Sequence, residues 1–109
     1  MSRRHVMDVL FLIRPGALWQ TDGDTFEDVV WLDDVQSRPT AGEFADGEVL
    51  LAWQNVRSER DRLLTASDWT QVADAPVDSA AWAVYRQQLR DIPQDFDSPD
   101  DVVWPTPPS

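Results

Sequence analysis

The sequence predicts an α+β fold, in which a small N-terminal antiparallel β meander is followed by a helical hairpin and an extended tail. Three observations indicate this order. Short β-branched and aromatic runs with turn dipeptides come first, apolar residues at helical spacing follow, and the last segment is acidic and rich in proline and tryptophan. We expect residues 1–38, 39–93 and 94–109 to form these three segments of one compact domain.

The predicted meander has three strands. The apolar run in residues 6–13 predicts the first, and Pro15-Gly16 supplies the turn that ends it. Residues 17–20 predict the second strand, and residues 28–32 predict the third. Asp22-Gly23 lies between them and is typical of a type I′ hairpin turn, because both central positions of that turn require a positive φ.

Two helices are predicted after the meander. Thr40 and Glu43 have the spacing of a capping box, and apolar residues at helical spacing continue to about Ala66. The second helix is expected to begin after a cap at Asp78 and to end at Pro93. A short connection favours packing of the two helices as an antiparallel hairpin. The residues expected to meet are Val49, Trp53, Val56 and Leu63 with Trp82, Tyr85, Leu89 and Ile92.

The net charge of the chain excludes several classes of partner. Twenty acidic and nine basic residues give a formal charge of −11, so phosphate backbones and anionic membrane surfaces repel the protein. The longest apolar run, residues 9–13, is far shorter than the roughly 20 residues of a membrane span. The chain has no cysteine, which excludes disulfides, thiolate nucleophiles and cysteine zinc sites. We therefore predict neither a nucleic-acid nor a membrane partner.

Candidate catalytic and metal-binding residues do not form a recognisable pattern. His5 is the only histidine and lies near an N-terminus that we expect to be mobile. Acidic residues crowd positions 22–28 and 95–101, but they lack the ligand order of a calcium loop and are typical of solvated turns. Residue types alone leave open an acid pair of the glycosidase kind. We predict no catalytic residue, no metal site and no cofactor.

Six tryptophans in so short a chain are its most unusual feature. Trp31, Trp53 and Trp82 lie on apolar faces of predicted elements and are expected in the core. Trp69 and Trp104 lie outside the predicted elements. Each of these two can anchor a partner or fold back onto the helical hairpin, since large amphipathic rings suit both roles and prolines flank the second.

A series of motifs in the C-terminal half carries a family resemblance. In order these are Arg62-Leu63-Leu64, Ser67-Asp68-Trp69-Thr70-Gln71, Asp74-Ala75-Pro76, Ala81-Trp82, Tyr85-Arg86-Gln87-Gln88-Leu89-Arg90-Asp91-Ile92-Pro93 and Val103-Trp104-Pro105. Across about residues 57–107 this series resembles the phage tail assembly chaperone family and, more loosely, tail-fibre assembly proteins. Val30-Trp31-Leu32-Asp33, followed by Pro39-Thr40 and Glu43, looks like the segment that precedes the signature in related phage proteins.

The resemblance implies a non-catalytic protein of the host cytoplasm that binds a phage tail or tail-fibre protein during virion assembly. The residues expected to bind this partner are Trp69, Arg86, Val103, Trp104 and Pro105. Self-association into a homo-oligomer is compatible with the small core that 109 residues can form. Two alternatives stay open: a structural component of the mature virion tail or tail fibre, and, from another class, a carboxylate- or metal-dependent enzyme.

Overall fold

A computed structural model describes residues 2–108, and the chain divides into two compact units with a boundary between Ala52 and Trp53. The helices are α1 (Arg3–Ile13), α2 (Ala41–Ser67) and α3 (Ser79–Asp95), and the strands are β1 (Trp19–Gln20) and β2 (Val30–Trp31). Short 3-10 helices lie at Phe26–Asp28, Asp68–Gln71 and Pro99–Asp101. A small antiparallel sheet followed by helices is the predicted α+β class. The segments 1–38, 39–93 and 94–109 stay a prediction.

The first element corrects the sequence prediction, because residues 6–13 belong to a helix and not to a strand. Ser2 caps α1 by accepting a 3.1 Å hydrogen bond from the His5 amide, so the segment expected to be mobile is helical. Val6, Val9 and Leu10 are fully buried and share one helical face. They pack in a core with Val29 and Phe44. Burial of that face overrides the β propensity of the local run.

The sheet has two strands in the described part of the chain, not three. Trp19 pairs with Trp31 and Gln20 with Val30 in antiparallel register. The predicted turn at Pro15-Gly16 is confirmed, since Gly16 has a φ of 78° and the Ala17 amide donates to the Arg14 carbonyl oxygen at 3.2 Å. This turn connects α1, and not a strand, to β1.

The type I′ turn predicted at Asp22-Gly23 is wrong. Gly16 has the only positive φ in residues 2–108, so Gly23 does not adopt the conformation that this turn needs. Residues 21–29 instead form a longer connection that contains the 3-10 helix Phe26–Asp28. Gly23 is required there for space, because a Cβ atom at this position would overlap the Asp28 carboxyl group.

The predicted helix starts are confirmed, and the predicted end of α3 is wrong. Thr40 and Glu43 form the capping box, with the Thr40 amide 3.2 Å from Glu43 Oε1 and the Glu43 amide 3.1 Å from Thr40 Oγ1. Asp78 Oδ1 accepts a 3.1 Å hydrogen bond from the Ala81 amide. Pro93 lies inside α3, which continues to Asp95. Ile92 and its downstream neighbour Phe96 pack in one cluster, and this packing favours the helical course.

The core of the second unit joins α2 to α3. Tyr85, Leu89 and Ile92 are buried at its centre. The half-buried side chains around them are Val56, Leu63, Leu64, Trp82, Phe96 and Val102. Of the α2 residues expected to meet α3, Val56 and Leu63 do so, whereas Val49 is 50% exposed. Val49 was expected to contact α3 because helical spacing alone does not show which part of a long helix packs against which element.

Within residues 2–108, the helices are too short or too polar to cross a lipid bilayer.

Candidate partner-binding surface

Arg86 fixes the chain at the point where α2 ends. Its side chain is buried on α3, and Nη1 donates to the Leu64 carbonyl oxygen at 2.6 Å and to Ser67 Oγ at 2.7 Å. Nη2 donates to Asp68 Oδ1 at 2.7 Å. The fork geometry of a guanidinium suits several acceptors at once, which a lysine cannot match. Arg86 therefore holds the last turn of α2 and the start of the following 3-10 helix against α3.

Buried hydroxyl groups complete this junction. Ser67 Oγ donates to the Leu63 carbonyl oxygen at 2.8 Å, and Thr70 Oγ1 donates to the Ser67 carbonyl oxygen at 2.6 Å. Thr70 is fully buried and Ser67 is 4% exposed. Across residues 2–108, every buried side-chain nitrogen and oxygen has a hydrogen-bond partner. A fully paired buried network of this kind holds the 3-10 helix Asp68–Gln71 in one position.

Trp69 projects from this fixed segment and is held on one side only. Its ring centroid lies 6.4 Å from that of Trp82, and Trp82 in turn meets Tyr85 edge-on at 5.5 Å. Half of Trp69 is nevertheless exposed to solvent. One part of the Trp69 ring therefore rests on α3 and the rest is accessible, whereas its role as a partner anchor stays a prediction.

The tail returns to the far end of α3. Val102 packs in the core of the second unit, after the 3-10 helix Pro99–Asp101 that Ser98 caps. The next three residues line a groove of about 210 Å³, whose walls are Gln88, Ile92, Asp95, Phe96, Val103, Trp104 and Pro105. Val103 is 72% exposed and Trp104 is 37% exposed. The tail is thus docked by Val102 and presents two large apolar side chains to solvent.

The predicted binding residues lie at two positions along one helix. Trp69 approaches α3 beside Trp82, and the tail approaches it beside Ile92. Ten residues of helix separate these two points, which corresponds to about 15 Å. Trp82 and Ile92 also differ by about 80° around the axis of α3, so the two approach points lie on different sides of the helix.

Several residues of this surface were missed in the sequence. Ser67 and Thr70 were named only as part of the family motif, although serine, threonine and aspartate close together are typical of local hydrogen-bonded turns. Phe96 lies in an acidic segment of the sequence, and its large apolar side chain was the signal that it could be buried. Arg86 was predicted to contact a partner, and the structure directs its guanidinium into the protein instead of towards solvent.

Side chains of the metal-ligating types occur throughout residues 2–108. In the described part of the chain, no three His, Asp or Glu side chains come close enough together to hold a metal ion. An ion pair lies on α2, where Arg62 donates to the two Glu59 carboxylate oxygens at 2.8 and 2.6 Å. The Arg62 hydrogen bonds lower the pKa of the Glu59 carboxyl group, and Glu59 raises the pKa of Arg62.

A model of a known protein family matches the C-terminal half of the chain. The family described as phage tail assembly chaperone protein matches residues 53–109, which confirms the resemblance seen in the sequence. This range coincides with the second compact unit and contains Trp69, Arg86 and the tail. No curated protein and no solved structure matches the chain.

Proposed function

The chain belongs to the phage tail assembly chaperone family, and we propose that it binds a phage tail or tail-fibre protein during virion assembly, without catalysing a reaction. The family match over the second unit is the observation that carries this proposal. The looser likeness to tail-fibre assembly proteins supports a fibre as one candidate partner. Binding takes place in the host cytoplasm, where tail proteins are made, and ends when the partner is incorporated into the particle.

The partner binds to the exposed anchors of the second unit. Trp69, Val103 and Trp104 offer large apolar area on a surface that is otherwise rich in charge, and Pro105 borders the same groove as the tail anchors. Aromatic side chains at fixed positions are the residue types that dominate binding energy in protein interfaces. An assembly protein with such anchors can cover apolar surface on a tail subunit until the subunit's own neighbours replace it.

Arg86 acts in this proposal by positioning Trp69. Its guanidinium bonds to Ser67 and Asp68, the two residues that precede Trp69, and these bonds set where the ring stands before the partner arrives. A preorganised anchor loses less conformational entropy on binding. Arg86 therefore contributes to affinity without a direct contact.

The acidic surface favours a partner that is neutral or basic. Acidic residues outnumber basic ones by twenty to nine in the chain, and like charges on a partner would oppose the encounter. The negative charge of the chain also opposes association between two copies of it. The alternative is a homo-oligomer in which the copies cover each other's exposed apolar side chains. The mass of the free protein in solution distinguishes a monomer from a homo-oligomer, and we expect a monomer.

Co-expression tests the proposed function. The chain is produced together with each tail and tail-fibre protein of the same phage, and complexes are identified by size-exclusion chromatography with light scattering. We expect one of these proteins to form a complex and to aggregate when expressed alone. Purified particles are then searched for the chain by mass spectrometry. Its presence there in stoichiometric amount would support the structural alternative, and the absence of any complex would contradict the proposal.

The enzymatic alternative is tested on the same material. A carboxylate- or metal-dependent enzyme of phage tails would degrade host polysaccharide, so the purified chain is incubated with cell-surface polysaccharide in the presence of calcium. We expect no release of reducing ends. Release that disappears on substitution of an acidic residue in the 22–28 or 95–101 segments would contradict the assignment as an assembly protein.

A further inference from the structure

The two-stranded sheet of the first unit has a second, outward-facing apolar side. Trp19 and Trp31 pair across the strands and pack against the core of this unit. Because side chains alternate along a strand, their neighbours point to the opposite side. The Leu32 amide donates to the Leu18 carbonyl oxygen at 3.0 Å, which continues the register and places Leu18 opposite Leu32. The outer ribbon face therefore consists of Leu18, Gln20, Val30 and Leu32.

This outer ribbon face is exposed although it is apolar. Leu18 is 62% exposed, Leu32 is 54% exposed and Val30 is 49% exposed. Val35, shortly after β2, is 89% exposed. A cluster of large apolar side chains left in water costs roughly 25 cal/mol per Å² relative to burial, and contiguous clusters of this kind mark interaction surfaces more often than isolated residues do.

Acidic residues outnumber basic ones around the outer ribbon face. Arg3 and Arg38 approach it and donate to the Asp22 and Val29 carbonyl oxygens at 2.7 and 2.6 Å. Between Arg14 and Arg38 the sequence contains no lysine or arginine, and the acidic residues there are Asp22, Asp24, Glu27, Asp28, Asp33 and Asp34. Except for Asp33, which is partly buried, these residues are exposed. Asp33 accepts hydrogen bonds from the Leu18 and Val35 amides, both at 3.1 Å, and so fixes the segments on either side of the ribbon.

We propose that the outer ribbon face binds a basic, apolar segment of a partner protein in extended conformation. Apolar side chains of the segment cover Leu18, Val30 and Leu32, and flanking lysines or arginines meet the acidic residues around them. Both strands are edge strands in the described sheet. An added strand is expected to pair with the outer edge of β1, because on the β2 side the Val29 carbonyl oxygen already accepts a hydrogen bond from Arg38. A second copy of this chain fits poorly, because it would bring the same acidic residues together.

This surface is independent of the one assigned to the tail partner. It lies in residues 18–35, whereas the family match begins at residue 53. A partner segment bound there would add a contact that the C-terminal unit does not provide. The inference therefore stands or falls without the proposed function.

Peptide probes test the inference with the full-length chain. The first probe is Lys-Lys-Val-Thr-Val-Thr-Val-Lys-Lys, the second replaces each valine with serine, and the third replaces each lysine with glutamate. Amide NMR spectra locate each peptide, and a titration gives its affinity. We expect the first peptide to shift amides of residues 17–20 and 29–35, and to bind roughly ten-fold tighter than either control, since apolar contact and charge are both needed.

Matched variants separate the face from its surroundings. Leu18→Ser/Leu32→Ser should weaken the first peptide roughly ten-fold, whereas Val49→Ser removes an equally exposed apolar side chain of the same unit without effect. Asp24→Asn/Asp34→Asn should weaken binding and reduce its salt dependence, whereas Asp74→Asn/Asp97→Asn should not. Circular dichroism confirms that each variant is folded. Three results would overturn the proposal: equal affinity for the serine peptide, amide shifts outside residues 17–20 and 29–35, or no binding of the first peptide. The acidic residues would then be interpreted as preventing aggregation of the exposed apolar face.

Discussion

The Arg86 guanidinium donates a 2.7 Å hydrogen bond to the Asp68 carboxylate, 18 residues earlier in the chain. The bond attaches the first residue of a 3-10 helix to the middle of α3, one residue before Trp69. Asp68 is largely exposed, whereas Arg86 is buried and also bonds to Leu64 and Ser67. The guanidinium is thus the buried member of the pair, and it bonds to the two residues that precede Trp69.

Removing Arg86 should destabilise the second unit. Arg86→Ala leaves the Leu64 carbonyl oxygen and the Ser67 hydroxyl without their buried donor, and we expect a loss of about 3 kcal/mol in the free energy of unfolding. Arg90→Ala, one turn further along α3 at an exposed position, is the control and should change stability by less than about 0.5 kcal/mol. Urea unfolding compares the two. Equal stability of both variants would show that the Arg86 network is dispensable.

Two glycines of α2 should respond to alanine with opposite signs. A Cβ atom at Gly47 would lie 2.8 Å from Ile13 Cγ2 and 2.9 Å from Val9 Cγ1, so Gly47→Ala forces α1 away and should cost about 1–3 kcal/mol. At Gly42 the nearest atom is Thr40 Oγ1 at 3.9 Å, and Gly42→Ala should stabilise the helix by about 0.5–1 kcal/mol. Thermal melts of both variants decide this. A stabilising Gly47→Ala substitution would contradict the close contact between α1 and α2.

Acid should weaken the first unit through Glu43. The Arg14 hydrogen bond at 2.6 Å is the main reason that the pKa of Glu43 is lowered from its usual 4.5, and the Thr40 amide adds to it. A carboxyl group with a lowered folded-state pKa contributes stability that is complete above its unfolded pKa and disappears as the pH falls through the folded value. The stability difference between the wild type and Glu43→Gln should therefore be largest near neutral pH and shrink below about pH 4.5.

The acid experiment compares variants because other carboxyl groups also change the stability of the protein in the same pH range. The pKa of Asp33 is lowered chiefly by the Gln36 amide, and that of Glu59 by Arg62. Both groups also lose their contribution in acid, so total stability is not diagnostic. Subtracting the Glu43→Gln curve isolates the cap of α2, with the exposed Glu27→Gln variant as the control. A pH-independent difference would mean that the Arg14–Glu43 pair does not affect folding.

Local signals in the sequence predicted the helix caps and missed the first helix. Thr40, Glu43 and Asp78 act through residues three positions away, so their spacing alone identifies them. Val6, Val9 and Leu10 form a helix because they meet Val29 and Phe44, which lie far away in the chain. The apolar run in residues 9–13 has high strand propensity. Only its packing against distant residues decides between a helix and a strand.

The candidate surface was predicted as a set of residues but not as an arrangement. Trp69 and Trp104 were identified because they lie outside the predicted helices, and both are partly exposed. The sequence did not show that Arg86 points inwards, since a signature motif does not distinguish a contact residue from one that positions its neighbours. The groove that Val103 and Trp104 share with Gln88 and Ile92 follows the 3-10 helix Pro99–Asp101. The Ser98 cap and Pro99 after it are a helix-start signal, but they do not show that the next residues return to α3.

The tail anchors are best tested by substitution, because deleting the tail would also remove Val102 from the core. Val103→Ser/Trp104→Ala leaves Val102 in place and changes side chains that are partly exposed. Trp104 is 37% exposed and part of its ring is packed, so we expect the free energy of unfolding to fall by roughly 1–3 kcal/mol. Val84→Ser is the matched control, since Val84 is exposed on α3.

The affinity of the chain for the tail protein identified by co-expression, measured by calorimetry, tests the central claim most directly. The wild type and Val84→Ser should bind equally, and Val103→Ser/Trp104→Ala should bind roughly 100-fold more weakly, because two interface anchors are lost. Melting temperatures recorded on the same samples separate binding from folding. Unchanged affinity of the double variant, or equal weakening by Val84→Ser, would contradict the assignment of the docked tail as the partner-binding surface.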